Sequence, residues 1–474
     1  MIYLIASLIV AGVIIAIAVL VGARFFYLSF VNKKTKPPQD GWYGKGDKRA
    51  DDTGITPFKV AVPEGILEDL KERLGKTRIS HEVLEDSDNF EYGFNGNYLK
   101  EVVNYWRENF DWRKQEQILN SWPQYTTEVE GVKIHYYHAK PDAGKYKEVV
   151  PLLLVHGWPG NVFEFYKMIP MLIDPEAHGV KSSIAFQVIA PSIPGYGFSE
   201  APSKKGFSPC EAARVFKKLM QRVGHNKFYL QGGDWGAVIT TQLARMYPES
   251  VFGLHTNMLT ANPLSIKGFF YTFVGSIFSW VTEFLKIPQT QILFKNPHQH
   301  GYNALQAVTQ VAWKESGYMH IQGTKPDTVG TGLNDSPVGL AAYILEKFSV
   351  WTNPDFTRLR DGGLTKKFTL DELLTVITIY WTQGNIVSSQ RFYKEFFMNP
   401  LEFWLTLKYV TVPTGHAQFP NEIFDKQPAE IVETSYNLIT QKVMPDGGHF
   451  PAFEQPTLLA GHLFSFVQTV EKCA

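Results

Sequence analysis

Cysteine is nearly absent: Cys210 and Cys473 are the two in 474 residues. That is too few for a disulfide framework or a cysteine-rich metal site, and both read as thiols of a reducing compartment. Neither charge is in excess, since 46 basic residues face 46 acidic ones. The balance excludes the basic surplus that binding to nucleic acid demands. No repeat and no low-complexity tract is present, which removes solenoids and disordered tails. Long charge-free apolar runs are also missing, except at the N-terminus. Residues 2–21 carry no charge, enough to cross a bilayer as a helix of about 20 residues. A cleaved signal peptide would put basic residues before a shorter run. Here Arg24, Lys33, Lys34 and Lys36 follow it. This predicts a retained single-pass anchor with its downstream flank in the cytosol. The acceptor Asn334-Asp335-Ser336 would then never meet the glycosylation machinery. Aromatics, by contrast, are plentiful at 14%, as suits a large core or an apolar substrate tunnel.

Downstream of the anchor (1–31), a polar tether runs to about residue 55. Residues 56–147 read as helices and turns, and Trp106, Trp112 and Trp122 predict an arm packed against the main domain; tether and arm together span 32–147. Alternation over 129–138 predicts one antiparallel strand. Apolar runs at 149–155, 186–190 and 227–231 predict further strands, separated by helical patterns at 162–172, 209–223 and 237–246. Strands alternating with helices imply a mostly parallel sheet with right-handed crossovers, and sites at its carboxyl edge. The pattern turns helical and aromatic over 261–395, and strand character returns at 408–412 and 439–444. The apolar run 269–281 is too short to span a bilayer and ends at Glu283, which suits a buried or membrane-touching cap helix. The implied plan is an α/β core in two halves, 148–260 and 396–474, interrupted by a helical lid.

Three loops could carry chemistry. Gln231-Gly232-Gly233-Asp234-Trp235-Gly236 lies between a predicted strand and a predicted helix. Its glycines match the nucleophile elbow G-x-S-x-G, with Asp234 in the serine place. A carboxylate there can attack an alkyl carbon and form an ester; a structural turn with a helix-capping Asp is the bland alternative. The second loop, His156-Gly157-Trp158-Pro159-Gly160, follows the 149–155 strand and can offer backbone N–H groups to an oxyanion. The third, Gly447-Gly448-His449-Phe450, follows the last predicted strand. A single histidine would ordinarily be structural, but the order nucleophile, acid, histidine is that of α/β-hydrolases. The acid should follow the 408–412 strand, which selects Glu422, with Asp425 and Asp446 as lesser candidates.

These motifs, together with ESGYMHIQ, SSQRFYKE, VPTG and GGHF, resemble the microsomal epoxide hydrolase family, which includes insect juvenile hormone epoxide hydrolases. The resemblance runs nearly end to end, and the block from 313 to 394 is specific to this family rather than to the fold. It implies an α/β-hydrolase fold with a mostly parallel central sheet, a helical cap, an N-terminal arm and a transmembrane anchor. It implies Asp234 as nucleophile, His449 as base and Glu422 as the acid that orients it. It also implies Tyr318 and Tyr393 as proton donors to the epoxide oxygen, and an oxyanion site at Trp158 and Trp235. Asn161 stands where many relatives have Ser and touches none of these roles. The expected ligand is a lipophilic epoxide, xenobiotic or terpenoid, at an endoplasmic reticulum membrane, with no cofactor and no metal. The nearest competing chemistry is that of a haloalkane dehalogenase, where indole N–H donors would serve a halide better than phenols. A catalytically dead binding protein is the other alternative; it would typically lack one of these residues.

Overall fold

A computed structural model of the chain describes residues 30–473 apart from 32, 80–81, 181, 262–313 and 424–426. The proposed anchor, the apolar run 269–281 and Asp425 lie outside the described residues. Among the described residues no helix is long and apolar enough to cross a membrane.

The described strands build one sheet. They are β1 (Thr56–Phe58), β2 (Gln124–Val129), β3 (Val132–Ala139), β4 (Glu148–Val155), β5 (Ile184–Pro191), β6 (Phe228–Gly232), β7 (Val251–Thr256), β8 (Val410–Gln418) and β9 (Tyr436–Val443). Their spatial order is β1-β2-β3-β5-β4-β6-β7-β8-β9. Pairing is antiparallel from β1 to β5 and parallel from there to β9.

The apolar run of β4 is continuous because parallel strands are covered on both faces. Leu152 and Leu154 pack toward Leu459, Leu463 and Val467 of the C-terminal helix Pro456–Cys473. Leu153 and Val155 face the other way, toward the layer holding Phe216 and Leu219 of the helix Pro209–Arg222.

The strand expected over 129–138 is β3 with the last residue of β2, while β1 and the rest of β2 lie in the stretch expected to hold helices and turns. The structure breaks 129–138 at Glu130-Gly131, whose φ values are 53° and 77°. Two successive left-handed residues make the turn that suits the twist of a two-residue hairpin. Asp51 accepts hydrogen bonds from both turn N–H groups at 2.8 Å. Buried Arg214 donates two more to the Glu130 carboxylate, at 2.7 and 2.6 Å.

Helices lie between β7 and β8, and several of them sit on the loops that leave the carboxyl ends of β4 and β5. Tyr380, on the helix Leu370–Gln383, donates to the Gly160 carbonyl at 3.0 Å. Tyr196 donates to Ser389 O at 2.9 Å, and Asn385 donates to Gly197 O at the same distance. The N-terminal arm reaches these helices as well as the core. Tyr105 donates to Asp371, and Phe90 N–H donates to Thr357 O.

Candidate active site

The turn after β6 is strained by the packing around it. Asp234 holds φ 48°, a conformation that costs a non-glycine residue about 1–3 kcal/mol. A Cβ on Gly232 would fall 2.4 Å from Gly236 O, and one on Gly236 only 1.9 Å from Val155 O. Both flanking positions therefore demand glycine. The close approach of the helix Asp234–Met246 to the end of β4 throws the Asp234 side chain out at the tip.

The loop after β4 receives that carboxylate. The Trp158 N–H donates to Asp234 Oδ1 at 2.7 Å. Gly157 lies so near that a Cβ there would fall 2.4 Å from Oδ1. His156 locks the loop. Its Nε2 accepts the Ile193 N–H at 3.1 Å, so Nδ1 carries the proton and donates to Gly157 O at 3.0 Å. Burial pushes the His156 pKa down to about 4, so the ring stays neutral. The Trp158–Pro159 peptide bond is cis.

His449 follows β9, its N–H held by Trp351 O at 3.0 Å. Its Nδ1 lies 2.8 Å from Glu422 Oε2 and its Nε2 3.4 Å from Asp234 Oδ2. Burial opposes charge on this ring, but Glu422 and Asp234 outweigh it and raise the pKa to about 10. At rest the imidazolium bridges two carboxylates.

Tyr318, on the helix Gly317–Thr324, and Tyr393, on the helix Ile386–Met398, close the opposite side. Their rings are 5.8 Å apart at 83°. Tyr318 stacks on Trp158 at 5.2 Å, and Tyr393 packs edge-on against Trp235 at 4.6 Å. Burial first and the Asp234 charge second push the Tyr318 hydroxyl well above its usual range. For Tyr393 burial leads again, followed by Tyr318 and then Asp234. Both phenols thus stay protonated beside the carboxylate.

The expected site residues converge, with some detail added. Glu422, not Asp446, meets the histidine; Asp446 instead pairs with Lys367 and accepts from Gln455 at 2.8 Å. Of the two tryptophans expected at the oxyanion site, Trp158 supplies the N–H on Asp234, while the Trp235 indole walls the site with Tyr393, Phe392 and Phe396. Two buried groups in this region have no counterpart in the motif reading. Trp351 touches Trp158, Tyr318 and His449. Glu164 lies in the short turn Val162–Phe165. No spacing rule marks either one, since their positions matter only after the chain folds.

Residues 55–165 match the family described as epoxide hydrolase N terminus, and residues 150–423 match the α/β hydrolase fold. Epoxide hydrolase 1 of Sus scrofa is 48% identical over 458 residues, which covers 94% of this chain and 96% of the relative. Juvenile hormone epoxide hydrolase 2 of Ctenocephalides felis is 41% identical over 459 residues, covering 96% and 95%. The crystal structure of the juvenile hormone epoxide hydrolase from the silkworm Bombyx mori is similar with a TM-score of 0.83 at 39% identity, over 92% of this chain and 99% of that one.

The chain belongs to the microsomal epoxide hydrolase family.

As an epoxide hydrolase it acts on small-molecule epoxides, and the haloalkane dehalogenase alternative falls away. Its Asn161 caps the turn that carries Glu164: Oδ1 accepts the Phe163 N–H at 3.1 Å.

Proposed function

We propose that this epoxide hydrolase opens lipophilic epoxides through a covalent ester on Asp234 and then hydrolyses that ester to a vicinal diol. One observation carries the reading. A single carboxylate has one oxygen on a backbone N–H and the other facing an imidazole, with two protonated phenols nearby. An epoxide oxygen leaves poorly unless it is protonated or hydrogen-bonded. Tyr318 and Tyr393 hold protons at neutral pH and can supply one. Asp234 attacks a ring carbon, the carbon–oxygen bond breaks, and a tyrosine proton passes to the epoxide oxygen.

Ester formation then changes the electrostatics. It removes the Asp234 charge, one of the groups that raise His449. The imidazolium becomes easier to deprotonate, and its proton returns through solvent to the phenolate. Neutral His449, oriented by Glu422, takes a proton from water. The hydroxide adds to the ester carbonyl, whose oxyanion forms beside the Trp158 N–H. The intermediate collapses, the alkoxide takes the remaining water proton, and the diol leaves. Asp234 is again a carboxylate and His449 again an imidazolium.

The aromatic wall of Trp158, Trp235, Trp351 and Phe392 suits apolar substrates. Two of the relatives reported above carry juvenile hormone epoxide hydrolase in their names, which supports a terpenoid epoxide as one substrate and other lipophilic epoxides as a second group. The charge-free run 2–21 supports anchoring in the endoplasmic reticulum membrane with the catalytic region toward the cytosol.

A single turnover in heavy-oxygen water with enzyme in excess tests the chemistry. The first diol should carry oxygen from Asp234, with solvent label entering in later turnovers. Solvent label in the first diol would mean direct attack by water and no ester.

A further inference from the structure

We infer that Glu164 positions the hydrolytic water for attack on the Asp234 ester; the inference rests on the covalent reading above. A cavity of about 20 Å³ lies behind the nucleophile, with Asp234, His449, Glu164, Asn257 and Gln231 among its lining. A polar space of that size holds one water, provided that two to four polar groups surround it. Here the lining supplies them.

The surrounding bonds leave suitable groups over. Gln231 donates its amide to Asn257 Oδ1 at 3.0 Å, so the Asn257 NH₂ keeps its donors. That amide lies against the elbow, where a Cβ on Gly233 would fall 2.5 Å from Asn257 Nδ2. Glu164 is brought in by its own turn. Its N–H donates to Asn161 O at 3.1 Å, and its Oε2 lies where a Cβ on Gly160 would come within 2.5 Å. Tyr380 fixes the same loop through Gly160 O.

The ionisable groups facing Glu164 are Asp234, His449 and Tyr380. Burial, then Asp234, raises the Glu164 carboxyl to about 8. The Gly157 N–H donates to this carboxyl and opposes the rise, so at neutral pH it is an acid with one oxygen held by the loop and one O–H to donate. A water held by the Glu164 O–H and directed at His449 Nε2 has its lone pair free for the ester carbon. It gives one proton to His449, its oxygen bonds to Asp234 Cγ, and the Cγ–O bond to the diol breaks. The second water proton ends on the diol.

Step-resolved kinetics test this. Rapid quench followed by mass spectrometry measures the ester on Asp234 as it forms and decays. In Glu164→Leu, ester decay should slow at least tenfold while ester formation stays within about threefold, so ester accumulates. Glu164→Gln keeps a donor and an acceptor and should restore decay to within about threefold. In the wild type, decay should fall as rising pH ionises Glu164, at a pH below the resting value because the ester removes the Asp234 charge that helps to raise this carboxyl; in Glu164→Gln that fall should vanish. The inference is overturned if Glu164→Leu decays at the wild-type rate, or if ring opening slows as much as decay. Should the leucine variant not fold, coincident pH profiles of wild type and Glu164→Gln would overturn it instead. Absence of any ester in the wild type is a separate failure, of the covalent reading itself.

Discussion

Asp234 is a short side chain in a backbone conformation that disfavours it, and its position is what gives it chemical use. Asp234→Ala should remove turnover and the covalent ester together, a loss of at least about a thousandfold in kcat, measured after excluding wild-type contamination. In the proposed mechanism the phenols act on ring opening alone. Tyr318→Phe and Tyr393→Phe should each slow ester formation by about ten- to a hundredfold, and together by roughly 10²–10⁴-fold, the range expected of general acid catalysis. Ester decay should be unchanged in both. Slow decay with normal formation would move the tyrosines out of the acid role. The motifs made Asp234, Glu422 and His449 legible because their loops sit at strand ends in a known order. The phenols were legible only through the family blocks, since nothing local separates Tyr318 and Tyr393 from the rest of the 22 tyrosines in the chain.

At the scale of elements, two glycine substitutions should behave oppositely. Gly236→Ala forces a Cβ to within 1.9 Å of Val155 O, a backbone atom that cannot step aside. It should lose about 3 kcal/mol or more, or fail to fold. Gly332→Ala adds a Cβ with nothing within 4 Å on the helix Pro326–Asp335, and should gain about 0.5–1 kcal/mol by helix propensity and reduced chain entropy. Thermal unfolding of the pair checks the argument. Arg214→Met leaves buried Glu130 without its bidentate partner. Removing one side of such a pair commonly costs roughly 3–5 kcal/mol, and the lower end applies because Lys218 still reaches Glu130 at 2.8 Å.

The sequence marks the strands unevenly, for definable reasons. β4 was plain as an apolar run. β7 carries no plain strand signal, its apolar pattern broken by Gly253, whose missing side chain makes room for Phe466. β8 runs to Gln418, past the expected end at 412. Its Pro413 and Gly415 look like breakers but sit where the ladder to β9 shifts register. The hairpin turn at Glu130-Gly131 was hidden because apolar alternation resumes at once beyond it.

Over the whole molecule, buried acids shape the response to pH. Burial raises Glu454 to about 8, although its Oε1 accepts the Phe450 N–H. Its unfolded value is near 4.5. Between these values the unfolded chain has lost a proton that the folded chain keeps. This contribution to stability is therefore full below about 4.5, declines as pH rises, and is flat above about 8. Glu454→Gln should remove that share of the decline, seen as a shallower fall of melting temperature from pH 5 to pH 8. The proposed anchor belongs to this scale too. Full-length protein should resist alkaline extraction from membranes, and a chain lacking residues 1–29 should be extracted more readily. Asn334 is exposed; a glycan on it would place the catalytic region in the lumen and overturn the proposed orientation.

Periodicity and loop chemistry by themselves determined the alternation of strands and helices, the carboxyl-edge loops and the residue types that could attack, orient and activate. These are local properties, set within a few residues of each motif. The tertiary structure decided which acid meets His449, which N–H meets Asp234, and that Glu164 shares a water-sized space with both. Such facts depend on separate loops arriving together, 27 residues apart for Glu422 and His449 and 76 for Trp158 and Asp234, and on burial that moves pKa values only once water has been excluded.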